Sequence, residues 1–235
     1  MGRPSAVLWD VQGTLVLRTV SAVEMGLRAL IAAGVSPLSL RSESIESARQ
    51  FEKIANLRWR TMEQEAEGFR AMAAALLEGV EPPPTPEQVA RVAAVFAAYD
   101  DMYRLVPGVL DLLTDLQARR IRQAVVSNWP PSLRRFLDHH DLSRFFSVVV
   151  CSAEEGVVKP DPGLFRLALS RLGLSPAEAI YVGDHVETDI VPATGLGMDA
   201  IHFDPGGSEG SADARDAASL RRLLFARLGL TAAVE

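Results

Sequence analysis

The chain has 235 residues, 48% hydrophobic and 23% charged, with a net charge of -6 at pH 7. This is enough apolar material for one large domain or two unequal ones, and the acidic balance gives no reason to expect nucleic acid or an anionic membrane as partner. The single cysteine, Cys151, excludes an internal disulfide, and no apolar run reaches the length of a membrane span. The start of the chain lacks the charged-then-apolar layout of a secretory leader, so a cytoplasmic location is expected.

Ala6 to Val11 reads as a buried strand that delivers Asp10 at its C-terminal tip. Gly13-Thr14 then turns the chain, and residues 12 to about 18 suit a short hairpin. From Ser21 to Ala33 the apolar spacing (Val23, Leu27, Leu30, Ile31) is helical, with Gly34 placed to end the helix. Residues 42 to 78 suit one or two further helices carrying Ile45, Phe51, Ile54, Leu57, Trp59 and Met62, with Gly68 as a break. Pro82-Pro83-Pro84 is a stiff linker. Thr85-Pro86-Glu87-Gln88 starts a helix running to about Tyr103, with Thr as N-cap and Gln three residues on. Residues 19 to 103 are thus expected to be all-helical.

The pattern then alternates. Helices are expected at Pro107–Arg119, Pro131–His140, Pro162–Leu172, Asp189–Leu196 and Asp213–Leu228. Strands are expected at Ile121–Ser127, Phe146–Cys151, Ile180–Gly183 and Ala200–Phe203. Alternation of this kind predicts an α/β fold, a doubly wound parallel sheet covered on both faces. The helical block interrupts it, so residues 1–18 and 104–235 are expected to form the core and 19–103 an inserted helical lid over the sheet edge where Asp10 points.

Four features recur at strand ends: Asp10, Ser127-Asn128, Lys159-Pro160 and Gly183-Asp184, with Asp189 five residues beyond. In open α/β sheets ligands bind just past the carboxyl ends of the strands. Asp10, Asp184 and Asp189 would repel one another unless a hard cation such as Mg²⁺ joined them. Lys159 matters more because it is one of only two lysines among 24 basic residues; the other is Lys53. A carboxylate, a hydroxyl, a lysine and a metal together suit a phosphoryl group. A small phosphorylated substrate is the expected partner.

The motifs Asp10-Val11-Gln12-Gly13-Thr14-Leu15, Ser127-Asn128, Lys159-Pro160-Asp161-Pro162 and Gly183-Asp184 with Asp189 resemble those of the haloacid dehalogenase-like hydrolase superfamily, in the branch with a helical cap inserted after the first motif. The resemblance implies Asp10 as a nucleophile that becomes an aspartyl-phosphate. It implies Ser127 and Lys159 as holders of the phosphoryl group. It implies Asp10, Asp184, Asp189 and the backbone carbonyl of Gln12 as the Mg²⁺ side. Thr14, Ser127, Asn128, Trp129 and Lys159 are the expected substrate contacts. Trp129 fits equally a place under the cap. Phosphatases of the superfamily usually carry a second aspartate where this chain has Gln12. An amide exchanges no proton near neutral pH, so acid–base catalysis should be weakened.

Three functions remain open on the sequence. One is a phosphatase in which His185, Glu63 or Glu65 replaces the missing acid. One is a 2-haloacid dehalogenase, or a phosphonate-cleaving relative that would use Lys53. One is a non-catalytic module that binds a phosphorylated ligand or a protein, and the chain suits a monomer or a homodimer. His139-His140 at a helix end, His202 in a strand and Cys151 after three valines read as structural. Trp59, Phe51 and Lys53 read as packing or surface residues of the insertion. Arg41, Arg58 and Arg60 read as a solvated face.

Overall fold

The computed structural model describes residues 3–47, 58–207 and 210–231. Five parallel strands form the central sheet: β1 (Ala6–Trp9), β4 (Arg122–Ser127), β5 (Val148–Cys151), β6 (Ala179–Gly183) and β7 (Asp199–His202), in the order β5-β4-β1-β6-β7. β1 sits in the centre, with Trp9 in register with Val125 on one side and Val182 on the other. Successive side chains of a strand face opposite sides, and the packing follows that rule. Val7, Trp9, Val125 and Val182 face one core, with the helices Val109–Ala118, Leu133–His139 and Ala217–Leu228. Ala6, Leu8, Val126 and Tyr181 face the other, with the helix Gly163–Leu172. The doubly wound parallel sheet is therefore present.

Two three-residue strands, β2 (Val16–Arg18) and β3 (Tyr103–Leu105), pair antiparallel and stand apart from the main sheet. Between them lie the helices α1 (Ala22–Ala32), α2 (Met62–Leu76) and α3 (Pro86–Ala97). They have a separate core, which includes Met25, Leu30, Trp59, Phe69, Met72, Leu76 and Phe96. Tyr103 packs against both this core and that of the sheet.

Helix starts follow their capping residues. The Ser21 hydroxyl accepts the Glu24 amide, and Thr85 with Gln88 forms a capping box. Gly34 follows α1 in the left-handed region at φ 67°, as the sequence predicts.

Four expectations change. α3 stops at Ala97, and Tyr103 opens a strand, so residues 19–103 are not helical throughout. Gly68 does not break a helix. It lies inside α2, where a Cβ would come within 2.0 Å of the Trp59 ring, so its missing side chain makes room for that indole. β1 ends at Trp9 rather than Val11, because Val11 O turns inward to accept the Leu15 and Val16 amides. Asp189 does not open its helix but lies inside a π-helical turn, Val186–Ile190, that leads into the short α-helix Val191–Gly195. Phe51, Lys53, Ile54 and Leu57 lie outside the described residues. Among the described residues no helix is long and apolar enough to cross a membrane.

Candidate active site

The sheet brings Asp10, Ser127, Lys159, Asp184 and Asp189 to one edge. Asp10 follows β1, and its amide still bonds to Val182 O at 2.9 Å. Asp184 follows β6, and Ser127 ends β4. One oxygen from each of Asp10, Asp184 and Asp189 lies within 4.8 Å of the others, and all three residues are buried.

Lys159 is 4% exposed. Its Nζ lies 2.9 Å from Asp10 Oδ1 and 2.5 Å from Asp189 Oδ1, and it donates to the Tyr181 hydroxyl at 3.0 Å. Tyr181 and Asp189 accept hydrogen bonds from the ammonium, while Asp10 Oδ1 is held by charge alone and, though buried, accepts no hydrogen bond. The Tyr181 hydroxyl lies 2.9 Å from Asp189 Oδ1 and 3.2 Å from Val126 O, so its proton has an acceptor. The second Asp189 oxygen accepts the His185 amide at 3.1 Å. Asp189 thus spends both oxygens on holding Lys159 and the turn.

Burial shapes the protonation of these groups. Burial alone would lower the Lys159 pKa, but the carboxylates of Asp10 and Asp189 outweigh it and hold the ammonium above its ordinary value. Burial raises the Asp10 carboxyl; Lys159 opposes the rise, and a hydrogen bond from Ser127 opposes it further. Asp184 is pushed up to about 7, first by burial and then by the charges of Asp10 and Asp189. One lysine does not neutralise three crowded carboxylates. The oxygen donor set and its excess negative charge suit a hard divalent cation.

The first turn is shaped for this crowding. Gly13 adopts φ 81°, and a Cβ there would lie 1.9 Å from Asp184 Oδ2. Only glycine permits both the turn and the approach of the carboxylate. Thr14 is fully buried, with its hydroxyl 3.5 Å from Asp184 Oδ1.

Asn128 and Trp129, read from the sequence as substrate contacts together with Thr14, are also engaged by protein. Asn128 Oδ1 accepts the Lys159 amide at 2.8 Å, and its Nδ2 donates to Lys159 O at 3.0 Å. Trp129 is 3% exposed and packs its ring against Tyr103 and Phe136, with centroids 5.6 and 4.6 Å apart. Gln12 is exposed at the rim, and its Oε1 accepts the Tyr103 hydroxyl at 3.1 Å.

Of the residues weighed as a replacement acid, His185 lies at the rim with Nε2 3.8 Å from Asp184 Oδ2. Glu65 is buried and bound to Ser132, while Glu63 is exposed in the first turn of α2. His202 is buried between Asp184 O and Ser211 O, and Cys151 is buried.

Sequence reasoning missed Tyr181. The available signal was a tyrosine inside an otherwise apolar strand, since a buried phenol needs a partner for its hydroxyl.

The haloacid dehalogenase-like hydrolase model matches residues 4–197, which span both the site and the helical insertion. The chain belongs to that hydrolase family. This member of the haloacid dehalogenase-like hydrolases is 36% identical over 122 residues to a phosphoserine phosphatase of Thermus thermophilus, covering 52% of this chain and 49% of that protein. It is 31% identical over 210 residues to a glyceraldehyde 3-phosphate phosphatase of Methanopyrus kandleri, covering 84% and 83%. The chain spans about half the length of the first of these relatives and most of the second. Among solved structures, the HAD-hydrolase YfnB of Bacillus subtilis shares the fold with a TM-score of 0.68 at 20% identity, over 95% of this chain and 99% of that one.

Proposed function

We propose that the protein is a Mg²⁺-dependent phosphohydrolase that acts on a small phosphate monoester through Asp10. The observation that carries this reading is the buried meeting of Asp10, Asp184 and Asp189 with Lys159 at the carboxyl edge of the sheet. The phosphatase names of the two relatives support the substrate class.

Asp10 acts as the nucleophile in this reading. Its carboxylate attacks phosphorus, the bond from phosphorus to the leaving oxygen breaks, and an aspartyl-phosphate forms. Lys159, ion-paired with Asp10, and the Ser127 hydroxyl at the end of β4 hold the phosphoryl oxygens as charge shifts. Water then attacks phosphorus, inorganic phosphate leaves and the Asp10 carboxylate returns. Asp10, Asp184 and the Gln12 carbonyl would hold Mg²⁺, whose charge would offset that of the gathered oxygens. Asp189 stands one step back, fixing Lys159. Thr14 supports Asp184, and Asn128 fixes the Lys159 backbone. Residues 19–103 act as a lid that excludes water, and residues 1–18 and 104–235 act as the catalytic core.

Gln12 sets a limit on the chemistry. Its amide cannot protonate the leaving oxygen or activate water, a loss of about 10²–10⁴-fold where such help is needed. Leaving groups that depart as stable anions are therefore favoured.

The test is hydrolysis of p-nitrophenyl phosphate with Mg²⁺. The protein should turn it over, and chelator or Asp10→Asn should abolish turnover. Halide release from a 2-haloacid in the presence of chelator would instead make the protein a dehalogenase.

A further inference from the structure

Glu65 is a buried carboxylate on a helix of the insertion. It lies on the α2 stripe Glu65, Phe69, Met72, Leu76, at helical spacing and facing inward. It is 1% exposed. Its Oε1 accepts the Ser132 hydroxyl at 2.6 Å, and its Oε2 accepts the Ser132 amide at 3.1 Å. Ser132 is the N-cap of the core helix Leu133–His139. A carboxylate from the insertion therefore caps a helix of the core.

A second contact lies just before α2. Arg60 Nη1 donates to Ala153 O at 3.0 Å and to Ser152 O at 3.4 Å. The two side chains grip the segments that follow β4 and β5, both at the carboxyl edge of the sheet.

The segment gripped by Glu65 leads to the nucleophile in a few bonds. From Ser132 it runs back through Pro131 and Pro130, which stiffen it. The Trp129 amide donates to Ser152 Oγ at 3.1 Å, and Asn128 exchanges two hydrogen bonds with the Lys159 backbone. The Lys159 ammonium then meets Asp10 at 2.9 Å.

We infer that Glu65 and Arg60 form a clasp whose closure seats residues 128–132 and, through Asn128, sets Lys159 against Asp10, so that both are positioning residues of the phosphoryl site. The inference rests on the phosphohydrolase reading for its kinetic consequence, but its structural part stands apart from it. A chain of contacts is not itself coupling; coupling is shown when two variants fail to add.

The experiment compares the whole protein with Glu65→Ala, Glu65→Gln, Arg60→Gln, Ser132→Ala and the double variant Glu65→Ala/Ser132→Ala. Three readouts are taken: hydrogen exchange over residues 128–139, affinity for inorganic phosphate with Mg²⁺, and kcat and KM on p-nitrophenyl phosphate. Glu65→Ala should lower protection of 128–139 about 10-fold while β1 and β6 keep theirs. Phosphate affinity and kcat should each fall about 5- to 10-fold, with KM changed less than kcat. Arg60→Gln and Glu65→Gln should show the same pattern more weakly, and they serve if Glu65→Ala fails to fold. Ser132→Ala should add little on top of Glu65→Ala.

Unchanged exchange over 128–139 overturns the clasp. Faster exchange with unchanged phosphate affinity overturns the positioning role and leaves a brace. If the natural protein binds phosphate without turnover, the phosphatase reading falls, and phosphate affinity still decides the clasp. If it binds no phosphate at all, the phosphatase reading and the positioning role both fall, and exchange over 128–139 alone decides the clasp.

Discussion

The inner and outer halves of the site are built to different standards. On the inner side Lys159, Asp189 and Tyr181 are buried, and the ammonium is held by hydrogen bonds to Asp189 and Tyr181 and an ion pair with Asp10. On the outer side Gln12 and His185 are exposed, and Gln12 Oε1 is bonded to a tyrosine of the ribbon at the root of the insertion. The inner half fixes charge; the outer half is where a proton would have to move. We read this as a site that keeps full means of holding a phosphoryl group and reduced means of completing its transfer. Four experiments test that contrast.

The largest effect belongs to Lys159. Lys159→Met keeps the length of the stem and removes the charge. It leaves Asp10 and Asp189 buried without their cation, a change that typically costs about 3–5 kcal/mol. Thermal or urea unfolding should show a loss of that size, and p-nitrophenyl phosphate turnover should drop by about 10²–10³-fold. A stable, active Lys159→Met would break the contrast, because the inner half would then be dispensable.

Gln12→Asp tests the outer half with the opposite sign. It restores a proton-exchanging group at the rim. Hydrolysis of an alkyl phosphate, whose leaving oxygen needs a proton, should rise by about 10²–10⁴-fold. Hydrolysis of p-nitrophenyl phosphate should rise far less, since p-nitrophenolate leaves readily as an anion. Equal gains on both substrates would mean that Gln12 limits something other than proton transfer.

The contrast also explains which parts of the molecule were legible in the sequence. Asp10, Ser127, Lys159, Asp184 and Asp189 could be placed together because each ends or follows a strand, and a parallel sheet carries all such ends to one edge. The helical insertion was legible from the shift in periodicity. Its ribbon was not: β2 and β3 have three residues each, too few to show a period of two, so Tyr103 read as the end of a helix. The division of labour among the carboxylates was also hidden. Nothing in Asp184 and Asp189 as residue types tells which faces the open site and which turns back to Lys159; the π-turn decides that. Gly68 read as a break because glycine disfavours helices on average, and only the Trp59 ring lying against it gives the actual reason. Glu65 was singled out for its acid, but its partner Ser132 lies 67 positions away and leaves no mark on local pattern.

Tyr181→Phe is a finer test of the inner half. It removes one hydroxyl and leaves one Lys159 proton and one Asp189 interaction unmet. Loss of a buried hydrogen-bond partner costs about 1–3 kcal/mol, so the unfolding free energy from urea titration should fall by that amount. If Tyr181 only fills space, stability and kcat should both stay within twofold of the natural protein. If it holds Lys159, kcat should fall several-fold while KM changes little.

The smallest effect lies beneath the same edge, at Cys151, which is in register with Ser127. Its thiol is buried and donates to Trp129 O at 3.1 Å. Burial pushes the thiol pKa up to about 11, against an ordinary 9.0. A group whose pKa is raised by folding keeps its proton longer in the folded state. The associated stability is complete below pH 9 and is lost as pH rises toward 11, because the unfolded thiol ionises first. Between pH 8 and pH 10.5 the loss should be about 2 kcal/mol. Other groups titrate in that range, so the measurement is the difference in urea midpoint between the natural protein and Cys151→Ala at both pH values. The variant should be the less stable of the two at pH 8 and should close most of the gap by pH 10.5. A gap that stays constant would show that the thiol meets water through the Trp129 segment, and the tight packing of the inner half would not extend as far as β5.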